Sequence, residues 1–221
     1  MTALIDNPDD IQYLYRFISD DIMRFVSWQE ESGLLVLNNG NDYIGSGSYG
    51  FIDDFPVRQD SAAPIKKNEL WVNMNSQETI CVSPQMFADY IFPHYYNLAG
   101  EFGLVYYGCC EPVHNIWDTC IAKLPKLKKV SISPWCDEQF MGDRLRNSKI
   151  IYSRKPNPAL IGLGNFDQNI FKRHIADTLL AAKECNLEII FRDIFTLHGS
   201  RDLAGRAVNI TRELIDELWQ K

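Results

Sequence analysis

Two thiols, a carboxylate and an imidazole fall within six residues in Cys109-Cys-Glu-Pro-Val-His114, directly after the apolar run 104–107 and Gly108. A cysteine thiolate is both a nucleophile and a metal ligand, and a carboxylate or imidazole beside it can move protons or share the metal. Side chains two apart on an extended chain share a face. On that rule Tyr107, Cys109 and Glu111 point one way, and Cys110 turns towards a helix layer as a small buried apolar residue.

Other groups with chemical potential occupy similar places. Asn73, Asn75 and Gln77 alternate on one face of Trp71-Val-Asn-Met-Asn-Ser-Gln-Glu78, which suits hydrogen bonding to a polar ligand, and Glu78 is a candidate acid or base. In Ser153-Arg-Lys-Pro-Asn-Pro158 two cations follow an apolar run, and the prolines hold the loop extended. Arg154, Lys155 and Asn157 can thus fix a carboxylate or phosphate. Arg192, Asp193 and His198 follow the run 187–191. Asp193 is a second candidate acid or base, and Arg192 neutralises its surroundings. His94, His114 and His174 read as structural or solvated. The loop Gly45-Ser-Gly-Ser-Tyr-Gly50 lacks the Lys-Ser/Thr ending of a phosphate-binding loop and the context of a dinucleotide fingerprint, so it reads as a flexible connection or a cover over the rim.

These clusters need a frame that brings them together. Strand-like runs at 70–74, 104–107, 129–132, 150–152 and 187–191 alternate with helical segments at 84–100, 114–123, 136–146, 167–184 and 201–219. Such alternation predicts βαβ units and a parallel sheet, with the clusters on one rim. A long helix precedes them, capped by Asp6 or Asn7, with Pro8 in its first turn and Ile11, Leu14, Ile18, Ile22 and Phe25 at helical spacing; Gly33 ends it. A short strand at 34–37 and the glycine-rich loop, running to Pro56, complete this part. The fold class is α/β: a partial TIM-like (β/α) barrel of five parallel βα units behind a long helix. One domain covers 1–221, with the helix and loop in 1–69 and the βα units in 70–221. A complete barrel of eight units takes about 250 residues. Five units leave sheet edges unpaired, so a homodimer or a partner chain is expected to cover them.

With 221 residues, 46% of them hydrophobic, the chain can bury one substantial core. A net charge of −7 argues against nucleic acid and anionic membrane surfaces as partners. The N-terminus lacks a basic region and a long apolar core, and no stretch approaches roughly 18 uninterrupted apolar residues. Six cysteines, two of them adjacent, do not read as a disulfide framework, and a cytoplasmic setting is expected.

Four segments, Leu70-Trp-Val-Asn-Met-Asn-Ser-Gln-Glu78, Tyr107-Gly-Cys-Cys-Glu-Pro-Val-His114, Val130-Ser-Ile-Ser-Pro-Trp135 and Ser153-Arg-Lys-Pro-Asn-Pro158, together resemble the uroporphyrinogen decarboxylase-like superfamily. That superfamily includes zinc-dependent methyltransferases that move methyl groups between corrinoid proteins and thiols, and it is akin to cobalamin-independent methionine synthase. The resemblance covers the later part of the family's barrel. It implies zinc ligands at Cys109 and His198; Glu111, on the same face as Cys109 by alternation, would complete a three-ligand zinc site with an open fourth position where a substrate thiol would become a thiolate. Tyr107 stands where the methyltransferases carry a histidine, and His198 where they carry a cysteine. His198-Gly199 resembles a His-Gly of the decarboxylases, whose substrate arginines and catalytic aspartate belong to an amino-terminal part without a counterpart here. The expected function is methyl transfer on a small anionic or corrinoid-linked substrate, the corrinoid residing on a partner protein. The alternatives are a non-catalytic binding or assembly subunit and a porphyrinogen decarboxylase.

Overall fold

The computed structural model describes residues 3–55, 58–60 and 62–219; Pro56, the expected end of the glycine-rich loop, lies outside them. A short helix α1 (Ala3–Asp6) leads into α2 (Pro8–Glu31), with Pro8 in the first turn, where no intrahelical donor is needed. Gly33, at φ 66°, closes α2 as its left-handed C-terminal residue. Residues 34–37 form no strand. The extended pairing lies further on, inside the glycine-rich loop. Strands β1 (Tyr43–Gly45) and β2 (Ser48–Tyr49) form an antiparallel hairpin, with Ser46 and Gly47 both at positive φ (51° and 83°). That is the backbone a tight two-residue hairpin turn demands.

Five parallel strands follow: β3 (Trp71–Met74), β4 (Leu104–Tyr107), β5 (Leu127–Ile132), β6 (Ile151–Arg154) and β7 (Asn186–Ile189). They lie side by side in chain order, so successive crossovers build the open parallel sheet of a partial βα repeat. The first crossover runs through α3 (Pro84–Met86), a wide turn over Phe87–Ile91 and α4 (Phe92–Glu101). Pro93 cannot donate a hydrogen bond, and the helix widens just before it. The segment expected as a helix at 114–123 is two 3₁₀ turns, Val113–Ile116 and Ile121–Lys123. The remaining helices are α5 (Glu138–Leu145), α6 (Ala159–Gly162), α7 (Gln168–Ala181) and α8 (Leu203–Leu218). Met74, Val105, Tyr107, Val130, Ile132 and Tyr152 bury one face of the sheet against the crossover segments. No helix among the described residues is long and apolar enough to cross a membrane.

The other face is polar, and the hairpin covers it. Lys129, Ser131, Ser153 and Lys155 are each at most 2% exposed, so their polar atoms need partners inside the protein. Ser48 of β2 lies between the Lys129 ammonium (2.6 Å) and both oxygens of Glu188 on β7 (2.9 and 3.0 Å). Ile44 of β1 packs with Trp71 and Tyr106. The outer edge of β3 is closed differently: the Asn38 side-chain amide donates to the Trp71 carbonyl (3.0 Å) and accepts from its N–H (2.9 Å). One amide thus does locally what a further strand would do.

Gly45 makes the hairpin's close approach possible. Its φ is 118°, and a Cβ there would stand 2.6 Å from Cγ of Asn73. Gly45→Ala is expected to cost about 1–3 kcal/mol through backbone strain and this clash. Urea denaturation measures it; an unchanged midpoint would show that the hairpin is not seated on β3.

Candidate functional site

Strand alternation breaks at Gly108. Tyr107 faces the main apolar core, whereas Tyr106 faces the hairpin side and its hydroxyl lies 3.3 Å from Ser153 Oγ. Gly108 then turns at φ 96°, a conformation that suits glycine, and resets the direction of the chain. As a result both Cys109 and Cys110 stand half-buried at the rim, with their sulfurs 3.6 Å apart. The expected common face for Tyr107 and Cys109, with Cys110 in the helix layer, does not form.

The Cys109 loop is held from three sides. Its N–H donates to Glu111 Oε2 (2.9 Å), and the other oxygen of Glu111 accepts the Ser76 N–H (2.9 Å). The Cys109 carbonyl accepts from Ser131 Oγ at 2.7 Å. Ser131 in turn accepts from Lys155 Nζ at 2.5 Å, which also donates to the Tyr106 hydroxyl at 2.6 Å. Buried Glu111 therefore ties the end of β3 to the end of β4, and Lys155 reaches the same loop through a hydroxyl relay.

Arg192, just past β7, supplies the decisive contact. Its Nη1 donates to Cys109 Sγ at 3.2 Å and to Ser46 Oγ, in the hairpin turn, at 2.9 Å. Nε and Nη2 grip the Asp193 carboxylate at 3.0 and 3.1 Å. Burial alone would push the Cys109 thiol up. Hydrogen bonds from Ser46, Arg192 and Cys110, with the Arg192 charge, outweigh burial and hold the thiol below its ordinary value. Cys110 goes the other way, pushed up to about 11 by burial and by its neighbour Cys109. The two thiols are thus pushed apart, Cys109 below and Cys110 above the ordinary value. Below them burial, then the Arg192 charge, lowers Lys155 to about 8. Among the described residues Lys155 makes no ion pair within 4 Å.

Compared with known proteins, the chain matches no family model, no curated protein and no solved structure.

The remaining candidates disperse. Arg154 points to the helix-covered face: its guanidinium donates to the Ser133 carbonyl (2.7 Å), to Thr178 Oγ1 (3.3 Å) and to the Glu138 carboxylate, and it is 1% exposed. It thus faces away from Lys155, as alternation along β6 requires. Asn157 caps α6, its Oδ1 accepting the Ala159 N–H at 3.0 Å. Asn73 donates to the Tyr106 carbonyl (3.2 Å), and with Asn75 and Glu78 it lines a separate cavity beneath α2. Asp193 serves Arg192. His198 has its Nε2 at 2.8 Å from the Gly162 carbonyl.

Zinc is a poor fit to the donors as arranged. Cys109 Sγ is engaged by Arg192, both Glu111 oxygens accept backbone N–H groups, and His198 is committed to Gly162. Among the described residues no three His, Cys, Asp or Glu side chains form a group able to hold a metal ion.

Sequence reasoning gave Arg192 only a neutralising role and gave Ser46, Tyr106 and Ser131 none. The signal for Ser131 and Lys129 was present: polar residues two apart in a run that should be apolar mark a hollow with chemistry in it.

Proposed function

We propose that this chain is a group-transfer enzyme whose nucleophile is the Cys109 thiolate. The observation that carries the reading is the guanidinium of Arg192, 3.2 Å from that sulfur and anchored to the hairpin by Ser46. Alkyl transfer is the first reaction to test, because the resemblance described above points to methyl transfer involving thiols. In that step the sulfur attacks a methyl carbon, a new S–C bond forms, and the leaving group departs with the electrons of the broken bond. The thiol first loses its proton to solvent, a step that the Arg192 hydrogen bond and charge make easier. Lys155, without a carboxylate partner, adds positive charge below the site and favours an anionic substrate. Incubation with methylcobalamin followed by peptide mass spectrometry tests the reading. Methylation of Cys109, absent in Cys109→Ser, is expected; no methylation, or methylation only at exposed Cys81, contradicts it.

A second reading, assembly through a second copy of this chain, is favoured by α2. Tyr13, Phe17, Phe25 and Trp28 are 69%, 53%, 55% and 52% exposed. Phe17, Asp21, Arg24 and Trp28 recur at the spacing of one helical stripe. Antiparallel pairing about a twofold axis between Ile22 and Met23 sets Phe17 against Trp28, and Asp21 against Arg24, of the other copy. The stripe therefore complements itself in both packing and charge. Sedimentation should show a dimer that Phe17→Glu converts to a monomer; a monomeric unmodified chain would exclude this pairing.

A further inference from the structure

The inward face of α2, about a third of a turn round from that stripe, does not rest on the sheet. Among the described residues α2 contributes no buried side chain, and Leu14, Ile18 and Ile22, which face inward, remain 48%, 44% and 42% exposed. They stay exposed because a cavity of about 640 Å³ separates the helix from the end of β3 and from α4. That volume lies within the range of about 300–1,000 Å³ typical of small-molecule sites.

Its lining is uneven. Leu14, Ile18, Met74 and Leu98 make an apolar wall. Glu78, Tyr15, Tyr95 and His94 line the same space and add a carboxylate and aromatic rings. Tyr15 and His94 stack with ring centres 5.8 Å apart, and the Tyr95 hydroxyl is fixed on the Asn75 carbonyl at 2.8 Å. Burial, followed by the charge of nearby Arg16, holds His94 below its ordinary value, which favours the neutral ring. Glu78 is then the one formal charge on the lining, and among the described residues it forms no ion pair. Burial raises both Tyr15 and Tyr95, and the Glu78 charge pushes each further, so all three share one electrostatic environment.

We infer that this cavity binds an organic cation with an apolar body, its ammonium group at Glu78 and the rings of Tyr15 and Tyr95, its hydrocarbon against Leu14, Ile18 and Leu98. A carboxylate beside aromatic faces attracts a cation through charge and ring quadrupole together, and the apolar wall favours a ligand that is not a bare ion. An anionic ligand would meet the Glu78 charge with no cation on the lining to offset it. The inference stands independently of the Cys109 chemistry, since no residue around that thiolate lines the cavity.

Calorimetric titration of the full chain with hexyltrimethylammonium, hexanol and hexanoate tests it. The ammonium compound should bind, hexanol about tenfold more weakly and hexanoate not measurably. Glu78→Gln, at an exposed position that the fold does not depend on, should reduce ammonium binding to the level of hexanol. Ile18→Trp, which fills the space, should remove binding of both. Equal binding of hexanoate, undiminished ammonium binding in Glu78→Gln or in Ile18→Trp, or no binding of any of the three would overturn the inference. A dimer lost in Ile18→Trp, with no ammonium binding, would assign the groove to a second copy instead.

Discussion

Replacement of Arg192 by methionine is expected to slow alkylation of Cys109 by iodoacetamide about tenfold at neutral pH. An adjacent cation lowers a thiol by roughly one to three pKa units, and the weaker nucleophilicity of a low-pKa thiolate returns about half of that in rate. Arg192 also donates to Ser46 and holds Asp193, so the substitution frees the hairpin turn as well as the sulfur. Arg192→Lys separates these effects, because it keeps the charge but loses the fork that reaches sulfur and hydroxyl together. An intermediate rate is expected for it. Site-resolved mass spectrometry follows Cys109 and Cys110 in the same samples. The Cys110 rate should change little, since burial is the first cause of its raised value. Equal rates at Cys109 in the unmodified chain and Arg192→Met would remove the guanidinium from the account.

The second large effect concerns stability. Glu138→Ala is expected to cost about 3–5 kcal/mol, because it strands the Arg154 guanidinium, 1% exposed, without its carboxylate. The same carboxylate accepts from Thr178 Oγ1 at 2.6 Å, so α5, β6 and α7 loosen together. Replacing the pair by apolar residues, Arg154→Met with Glu138→Leu, should cost less than Glu138→Ala alone, since no charge is then buried unpaired. Denaturant titration measures all three proteins. A Glu138→Ala midpoint equal to the unmodified chain, with impaired substrate binding instead, would return Arg154 to a ligand-holding role.

Much of the frame was legible in the residue pattern. Short apolar runs such as 104–107, bounded by Gly103 and Gly108, marked all five sheet strands within two residues, and their alternation with helical segments implied the parallel order. The largest offsets are two residues: β5 begins at Leu127, β6 runs on to Arg154, and β7 closes at Ile189 while the apolar run continues to Phe191. The hairpin was hidden because strands of three and two residues contain too little alternation to read. The face of Cys109 was misjudged because period-two reasoning holds only while the chain stays extended, and Gly108 leaves that region at φ 96°. Arg154 could not be separated from Lys155 by composition. Their roles diverge because adjacent strand residues face opposite sides, and because the partner Glu138 lies in another element. Arg192 could be placed at the rim but not against a sulfur 83 positions away, since that contact depends on how the ends of β4 and β7 and the hairpin turn are packed together.

The most direct test is a competition among the thiols of the unmodified protein, labelled with limiting iodoacetamide across a pH series and read residue by residue. Cys109, though half-buried, should react ahead of exposed Cys81, with an inflection below that of an ordinary thiol and with Cys110 lagging. If Cys81 reacts first and Cys109 titrates as an ordinary or buried thiol, the sulfur is not held as a thiolate by Arg192.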